Sequence, residues 1–145
     1  MKIKSILFII LYSIIVSNGN ETIKLEPADM IRLRKANFSD VFLENIQKNG
    51  YIFVSINEMI DLRKSNVTET VILEYALQSK KIDSEDIIKL RKSNFSDPFI
   101  LTIITRGYST VISINEMIDL RKNRVSFQQI LDYSYPPRAK DKEKK

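Results

Sequence analysis

The tripeptide Leu-Arg-Lys occurs four times, starting at Leu33, Leu62, Leu90 and Leu120, at spacings of 29, 28 and 30 residues. A fixed period of this length constrains a fold more than composition does. Each copy must be one supersecondary unit that buries its apolar face only against its neighbours. A longer period lies above it. SINEMIDLRK at Ser55–Lys64 recurs unchanged at Ser113–Lys122, and RKANFSD at Arg34–Asp40 returns as RKSNFSD at Arg91–Asp97. The body is therefore expected to be two tandem modules, residues 20–82 and 83–137, each holding two units.

Every unit carries the same punctuation. Seven residues before each Leu stands a helix N-cap candidate: Glu26, Ser55, Asp83 or Ser113. Three residues after the cap stands an acid: Asp29, Glu58, Asp86 or Glu116. Ser55 with Glu58 and Ser113 with Glu116 are full capping boxes, each closing two orphan backbone donors. Glu26 is a poor cap, but Pro27 follows it at the favoured first helical position. An apolar stripe follows: Met30, Ile31 and Leu33 in the first unit, and matching residues in the others. Four residues after each Leu the helix must stop, at Asn37, Asn66, Asn94 or Arg124. Asn is the best residue after Gly for the left-handed conformation there. A second helix starts two residues later, capped by Ser39, Thr68, Ser96 or Ser126. Apolar residues before each cap (Phe38, Val67, Phe95, Val125) and four after it (Leu43, Ile72, Ile100, Ile130) have the spacing of a hydrophobic staple. The expected fold class is mostly α, four tandem helical hairpins in two modules.

Gly-Tyr and a β-prone run follow the first and third hairpins. A lone strand is unstable, so Tyr51–Val54 and Tyr108–Ile112 are expected to pair with each other across the modules as a two-stranded mini-sheet.

Residues 1–19, MKIKSILFIILYSIIVSNG, have a basic start at Lys2 and Lys4, a short apolar run and small residues at Ser17 and Gly19. This is the three-part pattern of a secretory signal peptide, trimmed near Gly19. The apolar run is shorter than the ~20 residues that span a bilayer. The net charge of +5 resides in Lys2, Lys4 and the tail Arg138–Lys145, and the residues between are balanced. The tail is expected to be a disordered, solvated segment. A secreted chain of this size without Cys leans toward a bacterial envelope or extracellular protein.

The stretch Asp86–Ile104, DIIKLRKSNFSDPFILTII, with the Gly-Tyr-strand-Ser link, resembles a short repeat of exported bacterial proteins. More distantly it is similar to the small SHOCT helical module. The resemblance covers roughly Glu26–Tyr133. It implies helical-hairpin architecture and supplies no catalytic residues. Such repeats usually carry Gly where this chain has Asn37, Asn66 and Asn94, and both residues accept the left-handed conformation.

The chain has no His and no Cys, which removes Ser-His-Asp and Cys-His machinery, His-ligated metals and Cys zinc sites. The acids at helix starts are explained by capping, and Asp83-Ser84-Glu85-Asp86 lacks the Gly and the downstream Glu of a calcium loop. No catalytic residue, cofactor or metal is expected. Asn37, Asn66 and Asn94 each open an N-x-S/T sequon. A left-handed Asn followed two residues later by a hydroxyl cap generates that motif by itself. The pairs Arg34-Lys35, Arg63-Lys64, Arg91-Lys92 and Arg121-Lys122 read either as cations offsetting helix dipoles or as a stripe for an anionic ligand. Tyr75 and Tyr133 share a repeat position with Ile46 and Ile103 and read as core. Tyr51 and Tyr108 are the exposed partner-binding candidates. The functional expectation is an exported, non-catalytic repeat protein that contacts another envelope or extracellular protein. The alternative is a secreted binder of an anionic glycan or lipid headgroup, through the Arg-Lys pairs and the tail. Nucleic acid is not expected, and a membrane only through an uncleaved leader or anionic headgroups.

Overall fold

The computed structural model describes residues 21–108 and 111–137. The leader 1–19 and the tail 138–145 lie outside the described residues. The elements run β1 (Ile23–Lys24), α1 (Pro27–Lys35), α2 (Asp40–Asn49), β2 (Tyr51–Ile52), α3 (Ile56–Lys64), α4 (Glu69–Leu77), α5 (Ser84–Lys92), α6 (Asp97–Arg106), α7 (Ile114–Lys122) and α8 (Phe127–Ser134). Among the described residues the fold is mostly α with one small antiparallel sheet.

Each hairpin is built around one turn. After α1, Phe38 N–H donates to the Leu33 carbonyl at 3.3 Å and Asn37 N–H to the Arg34 carbonyl at 3.0 Å. This is the Schellman arrangement, which satisfies the last orphan carbonyls and brings the apolar residue after the turn onto the Leu. The same pair of bonds closes α3, α5 and α7, at Val67 and Asn66, Phe95 and Asn94, and Val125 and Arg124. The residue that must turn left-handed has φ of 63° at Asn37, 59° at Asn66, 60° at Asn94 and 62° at Arg124. Leu33, Leu62 and Leu90 are fully buried, as are Phe38, Val67 and Phe95. One apolar residue per turn thus closes the first helix and staples the second.

The hairpins stack in two layers. α1, α3, α5 and α7 contact one another in sequence, and α2, α4 and α6 form the facing row. α8 packs on α7 and reaches the third hairpin through Phe127, whose ring centroid lies 5.5 Å from Phe95 and 5.7 Å from Phe99. The core runs between the layers through Ile46, Met59, Ile72, Tyr75, Ile87, Ile100, Ile103, Met117 and Ile130.

The sheet is not the one expected. β2 pairs antiparallel with β1, with Ile23 opposite Ile52 and Lys24 opposite Tyr51, so the partner is the segment just before the first hairpin. Tyr108, Val111 and Ile112 form no strand, and Ser109 and Thr110 lie outside the described residues. The cause is local. Gly50 is left-handed (φ 72°, ψ −17°) and returns the chain along β1, whereas Gly107 (φ 71°, ψ −161°) aims it differently. Before the third hairpin Lys80-Lys81 holds the place that β1 has before the first. A Cβ on Gly107 would stand 2.7 Å from Lys81 Cβ, so the two segments touch without forming a ladder. Both links do hold the hairpin that follows them: Phe53 N–H donates to the Ala76 carbonyl at 2.8 Å, and Val111 N–H to the Ser134 carbonyl at 2.9 Å.

Candidate functional site

The four Arg-Lys pairs divide cleanly. Arg63, Arg91 and Arg121 lie half-buried along the stack, while Arg34 at its first end is exposed. Arg34 pairs with Asp40, Arg63 with Glu69 at 3.6 Å, and Arg91 with Asp97. Each acid is the first residue of its own second helix, where a carboxylate also meets the positive helix end. The same acids reach the preceding hairpin. Glu69 accepts from the Ser39 N–H at 2.8 Å and from the Ser39 hydroxyl, and Asp97 accepts from Thr68 Oγ1 at 2.9 Å. Arg63 also donates to the Asn37 carbonyl at 3.2 Å. In the fourth hairpin the acid position is Phe127, and Arg121 lies over its ring at 4.2 Å instead. Guanidinium, carboxylate and cap hydroxyl form a ladder that joins the first hairpin to the second and the second to the third. At the fourth it stops, and Ser96, expected as a cap, stands at the N-cap position without a side-chain cap bond.

Lys35, Lys64, Lys92 and Lys122 are exposed. Lys92 and Lys122 line a groove of about 460 Å³ with Arg121 and Arg124. Tyr51 is exposed on β2. Tyr108 presents its ring to solvent, but its hydroxyl accepts from the Asp83 N–H at 3.1 Å and donates to Asp86. Burial, then the Asp86 contact, push that phenol above its ordinary range.

The second and third hairpins meet around Glu58. Lys80 Nζ lies 2.8 Å from Glu58 and 3.7 Å from Asp83. Burial raises the Glu58 carboxyl, but Lys80 and the Ser55 N–H outweigh it, and the net shift is downward. The Glu58 hydrogen bond lifts Lys80 above its ordinary value. Tyr75 sits in the same join, its hydroxyl donating to the Ile82 carbonyl at 3.1 Å. Among the described residues no group of three or more His, Cys, Asp or Glu is placed to hold a metal ion, and no helix is long and apolar enough to cross a membrane.

The ends of the stack carry the largest departure from the sequence reading. Thirteen residues after the Leu, Ile46 is 0 % exposed, Tyr75 1 % and Ile103 0 %, yet Tyr133 is 58 % exposed. The core assignment of Tyr133 is therefore corrected. Its position is covered only by a following hairpin, and none follows α8 among the described residues. At the other end Ile31 is 57 % exposed, while its counterparts Ile60, Ile88 and Ile118 are half-buried under the hairpin before them. Tyr133 lines a groove of about 500 Å³ with Val111, Ile112, Leu120, Glu116 and Asp119. The signal that could have located this site was positional: a residue type buried at every interior repeat is uncovered at the last one. Comparison with family models, with curated proteins and with solved structures finds no match to this chain.

Proposed function

We propose that this chain is an exported, non-catalytic helical repeat protein that works by protein–protein contact in the cell envelope or extracellular space. The leader pattern supports export. The half-buried ion pairs of Arg63 and Arg91 support contact through shape and apolar area, because those two charges are committed within the stack. The observation that carries the reading is Tyr133, 58 % exposed at a position every other hairpin buries. A half-exposed Tyr beside Leu120, Val111 and Ile112 has the amphipathic character that protein interfaces favour.

A photo-crosslinking residue in place of Tyr133, in the chain expressed in its own host, tests this. A discrete protein adduct should form and should persist at high salt. Absence of any protein adduct overturns the reading. In the same cells the chain should be trimmed near Gly19, losing about 2 kDa by intact mass.

The second reading is a secreted binder of an anionic glycan or lipid headgroup. The groove lined by Lys92, Arg121, Lys122 and Arg124 favours it. Retention on a sulfated glycan that collapses as ionic strength rises would support it over the first.

A further inference from the structure

We propose that copies of this chain stack head to tail, the fourth hairpin of one receiving the first hairpin of the next. This rests on the reading above and names the partner as a second copy.

The longer period carries it. The first and third hairpins share their turn, R-K-x-N-F-S-D, and the second and fourth share S-I-N-E-M-I-D-L-R-K. The join between the second and third is therefore a template for a join between the fourth and the first. In the template Thr68 Oγ1 donates to Asp97 at 2.9 Å, and the Tyr75 hydroxyl donates to the Ile82 carbonyl at 3.1 Å. Each donor has its counterpart on the fourth hairpin: Ser126 for Thr68 and Tyr133 for Tyr75. Each acceptor has its counterpart on the first: Asp40 for Asp97, and the Leu25 carbonyl for that of Ile82. In the join between the first and second hairpins Arg63 donates to the Asn37 carbonyl, and the positions that correspond across the proposed contact are Arg34 and the Arg124 carbonyl. Tyr75 is 1 % exposed inside its join, and Tyr133 is 58 % exposed without one. At the receiving end Ile31 is likewise uncovered.

Two features set the strength. Ser126 now donates to its own Gln129 at 3.0 Å, so joining exchanges one acceptor for another. On the outer face of the first hairpin Glu44 stands where the third has Leu101, and Gln47 where it has Ile104. These polar residues reduce the apolar area buried, so the contact is reversible where the internal join is permanent. The two faces differ, so the contact is heterologous, and successive copies add head to tail into rings or open chains.

The chain has no Cys, so an introduced pair reports the join without background. Ser126→Cys and Asp40→Cys together in the full chain should give a ladder of disulfide-linked oligomers on mild oxidation, and either alone should stay monomeric. Adding Tyr133→Glu should abolish the ladder. Adding Glu44→Leu with Gln47→Ile, the third hairpin's residues, should move it to roughly tenfold lower protein concentration. The proposal is overturned if the double-Cys chain stays monomeric even with those two replacements. It is equally overturned if Ser126→Cys alone dimerises as well as the pair does, which would mean a tail-to-tail contact. A monomeric chain that still crosslinks to a different protein at Tyr133 would sink self-stacking and leave the interaction reading standing. No adduct of either kind would sink both.

Discussion

A single backbone angle at each turn decides whether a hairpin forms. Asn94 holds φ 60° with its side chain exposed, so its identity matters for conformation and little for packing. Asn94→Gly is expected to leave stability within about 0.5 kcal/mol of the native chain. Asn94→Val should cost about 1–2 kcal/mol, because a β-branched residue resists positive φ. Urea unfolding of the two variants separates these outcomes, and equal midpoints would remove the left-handed turn from the account. Arg124 takes the same conformation at φ 62° without being an Asn. The same two Schellman bonds close around it, at 3.1 and 3.0 Å. These turns were legible because Asn, an apolar residue and a hydroxyl cap occur together in a fixed order. Tyr133 was not, because chemically it matches Tyr75. Only its place at the end of the stack distinguishes it.

Between elements, the joins combine local rules with contacts that no local rule anticipates. The capping boxes at Ser55 and Ser113 follow from four-residue motifs, and the N–H of Glu58 lies 3.1 Å from Ser55 Oγ. The partnership of Glu58 with Lys80 spans 22 positions and had no signature. The same gap explains the sheet. Tyr51 and Ile52 read as a strand, but their partner Ile23-Lys24 is too short and too polar to announce itself. The Glu58–Lys80 pair also gives the fold a pH signature. The Glu58 pKa is depressed in the fold, so its contribution is present above the ordinary value of 4.5 and is lost as pH falls through the lower folded value. The Lys80 pKa is raised, so its contribution is present below 10.5 and is lost as pH rises through the higher folded value. Between these limits both act. Glu58→Gln should therefore lower the melting temperature at pH 7, and the gap from the native chain should narrow as pH falls below 4.5. A gap that stays constant down to acid pH would assign the effect to packing and not to charge.

For the whole molecule, stability is a sum over hairpins and the joins between them, so the same substitution should have different costs at different places in the stack. Tyr75 and Tyr133 make this a controlled comparison, since both stand 13 residues after their Leu. Tyr75 is sealed between the second and third hairpins, at 1 % exposure, with its hydroxyl on the Ile82 carbonyl. Tyr75→Ala would leave a cavity the size of a ring at the centre of the stack and strip that carbonyl of its donor. The expected cost is about 3–5 kcal/mol, a large part of the stability of a domain this size. Tyr133→Ala removes a ring that is 58 % exposed and should change stability by no more than about 0.5 kcal/mol in dilute solution. Concentration separates packing from association. Raising the protein concentration should stabilise the native chain and leave Tyr133→Ala unchanged, because a partner that binds only the folded state adds to its stability by mass action. Matching losses for the two variants in dilute solution would mean that the fourth hairpin's outer face is already covered within one chain.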